Sequence, residues 1–370
     1  MLSSFSRLLV VYVLWLASWM LAATLFEVYF FGLGMSPQEI YLANAFWFVA
    51  SLIVMPFIRG FSSRTFILAG IFVAASCTSI LYFFPEPASA YIFRFIIGLT
   101  HILFWTPFNV LFYEYHKENN AQLGAIYYSL GPILSLALPT LAGLIAGTSG
   151  LGYPVLYLLS LGLYAIAFIA GWFLIEDRKY AYNVLSSLRS ISGMKSIIFL
   201  EGFAAMVIVS VTLEVMLLSF IDTPFEFGGF LSLVTVFSVI ATAVTAKLSD
   251  KAQERRKFLL PSAAAFAICA IIASQAPDLL TFFLAFGLIS FFSRIFFPLP
   301  FALLVDNSKS LVDVMVGREL VLNIGRLAGT LAGYAVFVMF DIRAALLFQG
   351  LILLLYIPVF ENRKRKLLRH

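Results

Sequence analysis

The chain has 370 residues, 62% hydrophobic and 12% charged, with a mean hydropathy of +0.99. A soluble protein carries about twice that share of charge, so a water-solvated domain is excluded and an integral membrane protein is implied. The formal charge of +5 does not point to nucleic acid, because the basic residues are dispersed along the chain in a pattern that serves membrane topology.

Apolar windows of about 20 residues, long enough to cross a bilayer, predict spans at 8–30, 40–58, 65–84, 90–113, 122–146, 153–175, 196–221, 229–246, 258–274, 279–304, 314–340 and 344–360. The first window follows Arg7 and is too long for a signal peptide, so it counts as a span. From Asn119 to Ile175 no charged residue occurs, and only "GTSGLGYP" interrupts the run, which makes two spans and a short loop. The alternating ten-residue segments of a β-barrel are absent. Cys77 and Cys269 fall inside spans and far apart, as small apolar packers rather than a disulfide or metal pair. No metal-ligand spacing, nucleophile group or phosphate loop occurs, so no metal, no cofactor and no enzymatic activity is expected, and no ATP-driven pump.

If the N-terminus lies inside, nineteen of the 24 basic residues fall in inner segments, while the outer loops hold only Arg343. That asymmetry predicts a cell-membrane protein with both termini cytoplasmic. The tail "ENRKRKLLRH" reads as a juxtamembrane anchor with anionic-lipid contact.

The chain also repeats itself. "LFEVYFFGLGMSPQEI" is followed 187 positions later by "TLEVMLLSFIDTPFEF", which sets Glu27 over Glu214, Pro37 over Pro224 and Glu39 over Glu226. Further on, "PFNVLFYE" from Pro107 matches "PFALLVDN" from Pro300, and "GAIYYSLG" lies over "RELVLNIG". The fold class expected is therefore all-α, with 12 transmembrane helices in two pseudo-symmetric six-helix bundles. These occupy residues 1–175 and 196–360, joined by a cytoplasmic linker at 176–195 and followed by a basic tail at 361–370.

That organisation resembles the major facilitator superfamily of secondary transporters. Between spans eight and nine, "AKLSDKAQERRKFLL" is similar to the family's G-x-x-x-D-R-x-G-R-R loop, with Asp250 as the acid and one inserted residue. The first-half copy, "PFIRGFSSRTFIL", has Gly60 in place of the aspartate. Arg94 and Gly98 resemble the R-x-x-x-G of proton antiporters, and Gly131-Pro132 keeps the core of a second antiporter motif whose glycines are here Ser135 and Leu136. The resemblance implies that spans one, four, seven and ten line a central cavity, with span eleven beside it.

Charged residues persist inside a membrane when paired, wet or functional, since each costs about 2.5–3.5 kcal/mol at the bilayer centre. On span four, Arg94, His101, Trp105 and Asn109 share one helical stripe, and on span eleven Glu319, Asn323 and Arg326 share another. Arg294 and Arg326 lie deep, and their forked donors suit carboxylate or phosphate. Substrate contact is therefore expected from Arg294, Arg326, Asn323, Trp105 and Asn109. Proton coupling is expected from Glu27, Arg94, His101 and Glu214, with Glu27 paired to Arg94. A carboxylate beside a cation that can be drawn away is a workable proton site. Asp250, Arg318, Glu319 and Glu114 are candidates for gate contacts at inner helix ends. Structural roles stand beside these: outer-interface snorkelling for Glu27 and Glu214, and a tether of spans ten and eleven in which Arg294 and Arg326 pair with Glu319 or Asp306. The stripe of Thr235, Ser238, Thr242 and Thr245 on span eight is read as helix packing rather than ligand contact.

Together these features predict an alternating-access transporter, monomeric and proton-coupled, moving a small organic anion or amphipathic solute. Multidrug or lipophilic efflux by proton antiport is the alternative within the class. A lipid flippase or a non-transporting sensor is the alternative outside it.

Overall fold

The computed structural model describes residues 3–115, 129–148, 152–248, 252–306 and 309–367. Twelve of the helical stretches among these are long and apolar enough to cross a membrane: Ser4–Gly32, Pro37–Phe57, Ser63–Phe83, Ala88–Glu114, Ser129–Gly147, Gly152–Leu174, Lys195–Leu217, Pro224–Val244, Lys257–Ser274, Leu279–Asp306, Leu311–Met339 and Ile342–Asn362. They coincide with the predicted spans to within about five residues, except that the predicted start of span five, at 122, lies outside the described residues. Several extend further, because turns at helix ends carry polar caps that a hydropathy window leaves out. Large apolar side chains such as Phe57, Phe83, Phe173, Leu280 and Val338 are exposed on the outside of the bundle, where lipid replaces water as their partner.

The internal repeat has a local structural basis. Span two begins at Pro37 behind Ser36, whose side chain accepts from the Glu39 N–H while the Glu39 carboxylate accepts from the Ser36 N–H. Span eight begins at Pro224 behind Thr223, whose hydroxyl donates to Glu226 at 2.9 Å. The matched S/T-P-x-E is a helix start used twice. Pro107 and Pro300 likewise sit at the restart of helix in spans four and ten. In "GAIYYSLG", residues 124–128 lie outside the described residues, so that match has no structural counterpart.

Spans one, four, seven and ten are each interrupted. Span one turns at Thr24 and Leu25, and span ten turns at Phe297 before Pro298. Span four contains a π-helical turn at His101–Trp105, and span seven two, at Glu201–Met206 and Ile208–Thr212. A π turn widens the helix and re-aims side chains, and such turns concentrate at functional positions.

The first six spans meet the last six through spans five and eight and through spans two and eleven. Spans five and eight approach so closely that a Cβ on Gly228 would lie 2.0 Å from the Pro139 carbonyl oxygen. Span two is also tied to spans seven and twelve by a buried ring in which Tyr41, Thr212 and Gln349 hydrogen-bond in turn, at 2.7–3.0 Å.

Strand β1 (Gly60–Ser62) in the loop after span two pairs antiparallel with β2 (Lys179–Ala181) in the linker. A Cβ on Gly60 would lie 2.5 Å from the Tyr180 carbonyl oxygen, so the glycine that replaces the family's aspartate is what lets the two strands close. Arg178 holds Glu114 and Glu176, Tyr180 donates to Glu114 at 2.5 Å, and Ser62 bonds to Asp177. Burial and the neighbouring Glu114 carboxylate push the Tyr180 phenol up. The linker helix Val184–Ser190 then packs on span eleven, where Asp313 accepts from the hydroxyls of Ser186 and Ser187. The linker is thus bound to both sets of spans.

Candidate functional site

A central cavity runs between the two sets of spans in two lobes that share Trp19, Trp47, Trp105, Ser210, Ser238, Ser290 and Arg294. The inner lobe, on the side of the basic loops, has a volume of about 370 Å³, and the outer lobe about 290 Å³. Trp105, Asn109, Arg294, Arg326 and His101 all line it, as do Arg94 and Glu214 in the outer lobe. Thr235 and Ser238 on span eight also line it, while the hydroxyls of Thr235 and Thr242 turn back to the carbonyls of Leu231 and Ser238. The side chain of Thr245 lies outside the described residues. The stripe on span eight thus borders the cavity at Thr235 and Ser238, with its threonine hydroxyls bonded within the helix.

At the outer lobe Arg94 donates to Glu27 at 2.8 Å. The Glu27 carboxylate is fully buried, which rules out snorkelling, and packing holds the pair. The guanidinium lies 3.7 Å from the Phe26 ring centre and 4.8 Å from that of Trp47. A Cβ at Gly98 would fall 2.1 Å from the Trp47 carbonyl oxygen. The R-x-x-x-G spacing therefore has a steric cause: the glycine brings span two close enough to set the indole against the arginine one turn away. The repeat partner of Glu27, Glu214, lines the outer lobe with Arg94 and lies in the electrostatic field of Glu27 and Arg94. Two carboxyls from the two copies of one motif thus meet at one arginine.

At the inner lobe span eleven presents Glu319, Asn323 and Arg326 one above the next. Arg326 donates to Glu319 at 3.0 Å and to the Asn323 carbonyl at 2.8 Å, and the Asn323 amide donates back to Glu319 at 3.1 Å. This corrects two expectations. Asn323 is fully buried, spends both ends of its amide on its own helix and is absent from the cavity wall, so it positions Arg326 rather than touching substrate. The Arg326–Glu319 pair lies within span eleven and tethers no second helix.

Arg318 reaches across to Glu201 on span seven at 2.6 Å and stacks over Phe301 at 4.7 Å. Glu114 is held by the linker, as described above. The ion pairs of Arg318 and Glu319 therefore brace the last six spans internally, and that of Glu114 ties span four to the linker. Across the two sets at the inner end, Tyr113 of span four meets Phe301 of span ten with ring centres 5.2 Å apart. Asp250 lies outside the described residues.

His101 begins the π turn of span four and stacks on Trp47 and Phe48, with ring centres at 5.7 and 6.2 Å. Its Nδ1, the Asn109 carbonyl and the indole N–H groups of Trp15 and Trp47 have no hydrogen-bond partner among the described residues. The register that sets Pro107 over Pro300 also sets His101 over Arg294. Both line the inner lobe.

The family model of the Major Facilitator Superfamily matches residues 194–368, the linker's end and the last six spans. The whole bundle superposes on solved members of that fold. The human organic anion transporter MFSD10 (TETRAN) covers 97% of this chain and 100% of its own at 13% identity, with a TM-score of 0.72. Residues 194–368 thus match the superfamily's model, and the whole chain has its fold. The nucleoside transporter NupG follows at 13% identity and a TM-score of 0.66, over 97% of this chain and 100% of its own. The E. coli fucose:proton symporter FucP does so at 14% and 0.64, over 97% and 98%. At such identities the superpositions speak for the fold alone. No curated protein sequence matches the chain. With 12 candidate spans it is a multi-pass membrane protein.

Sequence reasoning missed Glu201, because it sits among apolar residues near the inner start of span seven and resembles an interfacial acid. It also missed the glycine face of span eleven. A Cβ at Gly325 would meet the Phe199 carbonyl oxygen at 2.4 Å, and one at Gly329 the Phe203 carbonyl oxygen at 1.9 Å. The signal was present as G-x-x-x-G within "IGRLAG".

Proposed function

We propose that this transporter moves a small organic anion together with protons by alternating access, with both termini in the cytoplasm. The observation that carries the proposal is the charge set of the cavity wall and its direct partners: Arg94, Arg294, Arg318 and Arg326 against Glu27, Glu201, Glu214 and Glu319. Two carboxyls sharing one site resist ionising together, so one proton on the Glu27–Glu214 pair makes the cavity more positive by one charge. Arg294, which faces both lobes, is then the binding group for an anion, with Arg326 and Asn109 beside it in the inner lobe. Proton and anion are coupled because each makes the other electrostatically welcome. His101 is a second relay candidate beside Arg326. An organic anion transporter and a proton symporter among the proteins of like fold are consistent with this reading.

The test is uptake into proteoliposomes under an imposed pH gradient, screened over a panel of organic anions. Uptake of at least one anion should follow the proton gradient, Arg294→Gln should abolish its binding, and Glu214→Gln should keep binding while removing the pH dependence. Flux of every anion that ignores the gradient would reject proton coupling. Unchanged affinity in Arg294→Gln would reject the anion site.

A further inference from the structure

Resting on that anion site, we infer that the cavity accepts a flat aromatic monocarboxylate, its ring face on a tryptophan wall and its carboxylate at Arg294. The wall is the less expected part. Of the five tryptophans in the chain, Trp15 and Trp19 of span one, Trp47 of span two and Trp105 of span four line the cavity. Only Trp172 is left for the lipid side, where it is 56% exposed. Tryptophan in membrane proteins gathers at the two water interfaces. Here it is gathered in the interior, on one side of one cavity. Trp15 meets Trp105 edge to face at 5.0 Å and lies parallel to Trp19 at 6.4 Å, and Trp19 meets Trp47 at 5.9 Å. The four form one continuous aromatic surface.

The opposite wall, from spans seven, eight and ten, carries no tryptophan, and Ser210, Glu214, Ser238, Ser290, Ser293 and Arg294 are among its polar groups. The ligand this asymmetry fits has an apolar flat face on one side and an anionic edge on the other. A ring system meets an indole face through offset stacking, which a saturated skeleton of the same outline does not reproduce. Size narrows the class further. An apolar cavity of about 150 Å³ holds one benzene ring, and the inner lobe, at about 370 Å³, has room for a two-ring body with its carboxylate. The charge balance admits one negative charge per proton taken up, which favours a monoanion over a dianion.

The experiment is calorimetric titration of the purified full-length protein with three probes of one outline: 2-naphthoate, its saturated analogue decahydronaphthalene-2-carboxylate, and the uncharged naphthalene-2-methanol. The inference expects 2-naphthoate to bind about tenfold more tightly than either of the others, the scale on which one aromatic stacking contact acts. Trp105→Leu should erase the preference over the saturated acid, and Trp105→Phe should restore most of it, each variant first shown to be folded by gel filtration. Equal binding of the two acids overturns the aromatic inference and leaves the anion site standing. Binding of the alcohol as tight as that of 2-naphthoate, or no binding of either acid, overturns both. A preference that survives Trp105→Leu, Trp47→Leu and Trp19→Leu alike removes the tryptophan wall from the explanation and overturns the inference as well.

Discussion

Replacing Arg318 by methionine isolates the energetic role of the buried pair behind the inner lobe. Glu201 is fully buried on span seven and its carboxylate takes the Arg318 guanidinium at 2.6 Å, while the arginine side chain is only 11% exposed. Loss of the arginine leaves a buried acid without its hydrogen-bonded counter-charge, a defect that costs about 3–5 kcal/mol. At about 2 °C per kcal/mol for a large chain, the melting temperature should fall by ~6–10 °C. The double variant Glu201→Met with Arg318→Met removes both charges and fills the same space. Replacement of a whole buried pair by apolar side chains is close to neutral, so the double should recover all but about 2 °C. Thermal unfolding of the three variants in one detergent, followed by intrinsic fluorescence, measures both steps. A double variant as unstable as Arg318→Met would refute the reasoning. The pair would then stabilise through specific hydrogen-bond geometry rather than through mutual charge compensation.

Three further outcomes follow from the same structure. Gly329→Ala drives a Cβ into the Phe203 carbonyl oxygen and should destabilise by about 1–3 kcal/mol, whereas Gly162→Ala, with nothing within 4 Å of its Cβ, should unfold at the wild-type temperature; equal melting of the two would show that spans seven and eleven do not depend on glycine contact. Asn323→Leu removes the two amide contacts that hold Glu319 and Arg326 and should cost about 2 kcal/mol while raising the substrate KM, so an unchanged KM would take Arg326 out of the site. Hydrogen bonds from Ser4 and Arg178 hold the Glu176 carboxyl below the usual carboxylate range, so its contribution is full above about pH 4.3 and is lost as the pH falls through the folded value. Hydrogen exchange at residues 176–182 should accordingly rise below about pH 4, and exchange that stays flat to pH 3 would detach Glu176 from the linker's hold.

The twelve spans and the repeat were legible because bilayer thickness and helix capping act locally: one sets the length of an apolar run, the other the residues at its start. Pro37 and Pro224 could be matched across 187 positions, since each carries out the same short-range task in its own copy. Arg294, Arg326, Trp105 and Asn109 could be placed on a lined face because helical phase projects such residues together. The failures share a cause. Asn323 has the same phase as Arg326, yet its amide is used up within the helix, and phase says nothing about which polar group satisfies another. Glu201 is a lone acid in sequence, and its partner lies 117 positions away.

By its sequence alone the chain was bound to be a two-fold repeated helical membrane protein with an unusual store of charge in its interior, because hydropathy and periodicity are properties of neighbouring residues. Tertiary structure decided how that charge is spent. It set Glu27, Glu214 and Arg94 at one point from three helices, tied Arg318 to Glu201, and gathered tryptophans from spans one, two and four into one wall. Each of these depends on helix crossings that close-packed glycines and π turns determine, and such crossings are fixed by contacts between segments far apart in the chain.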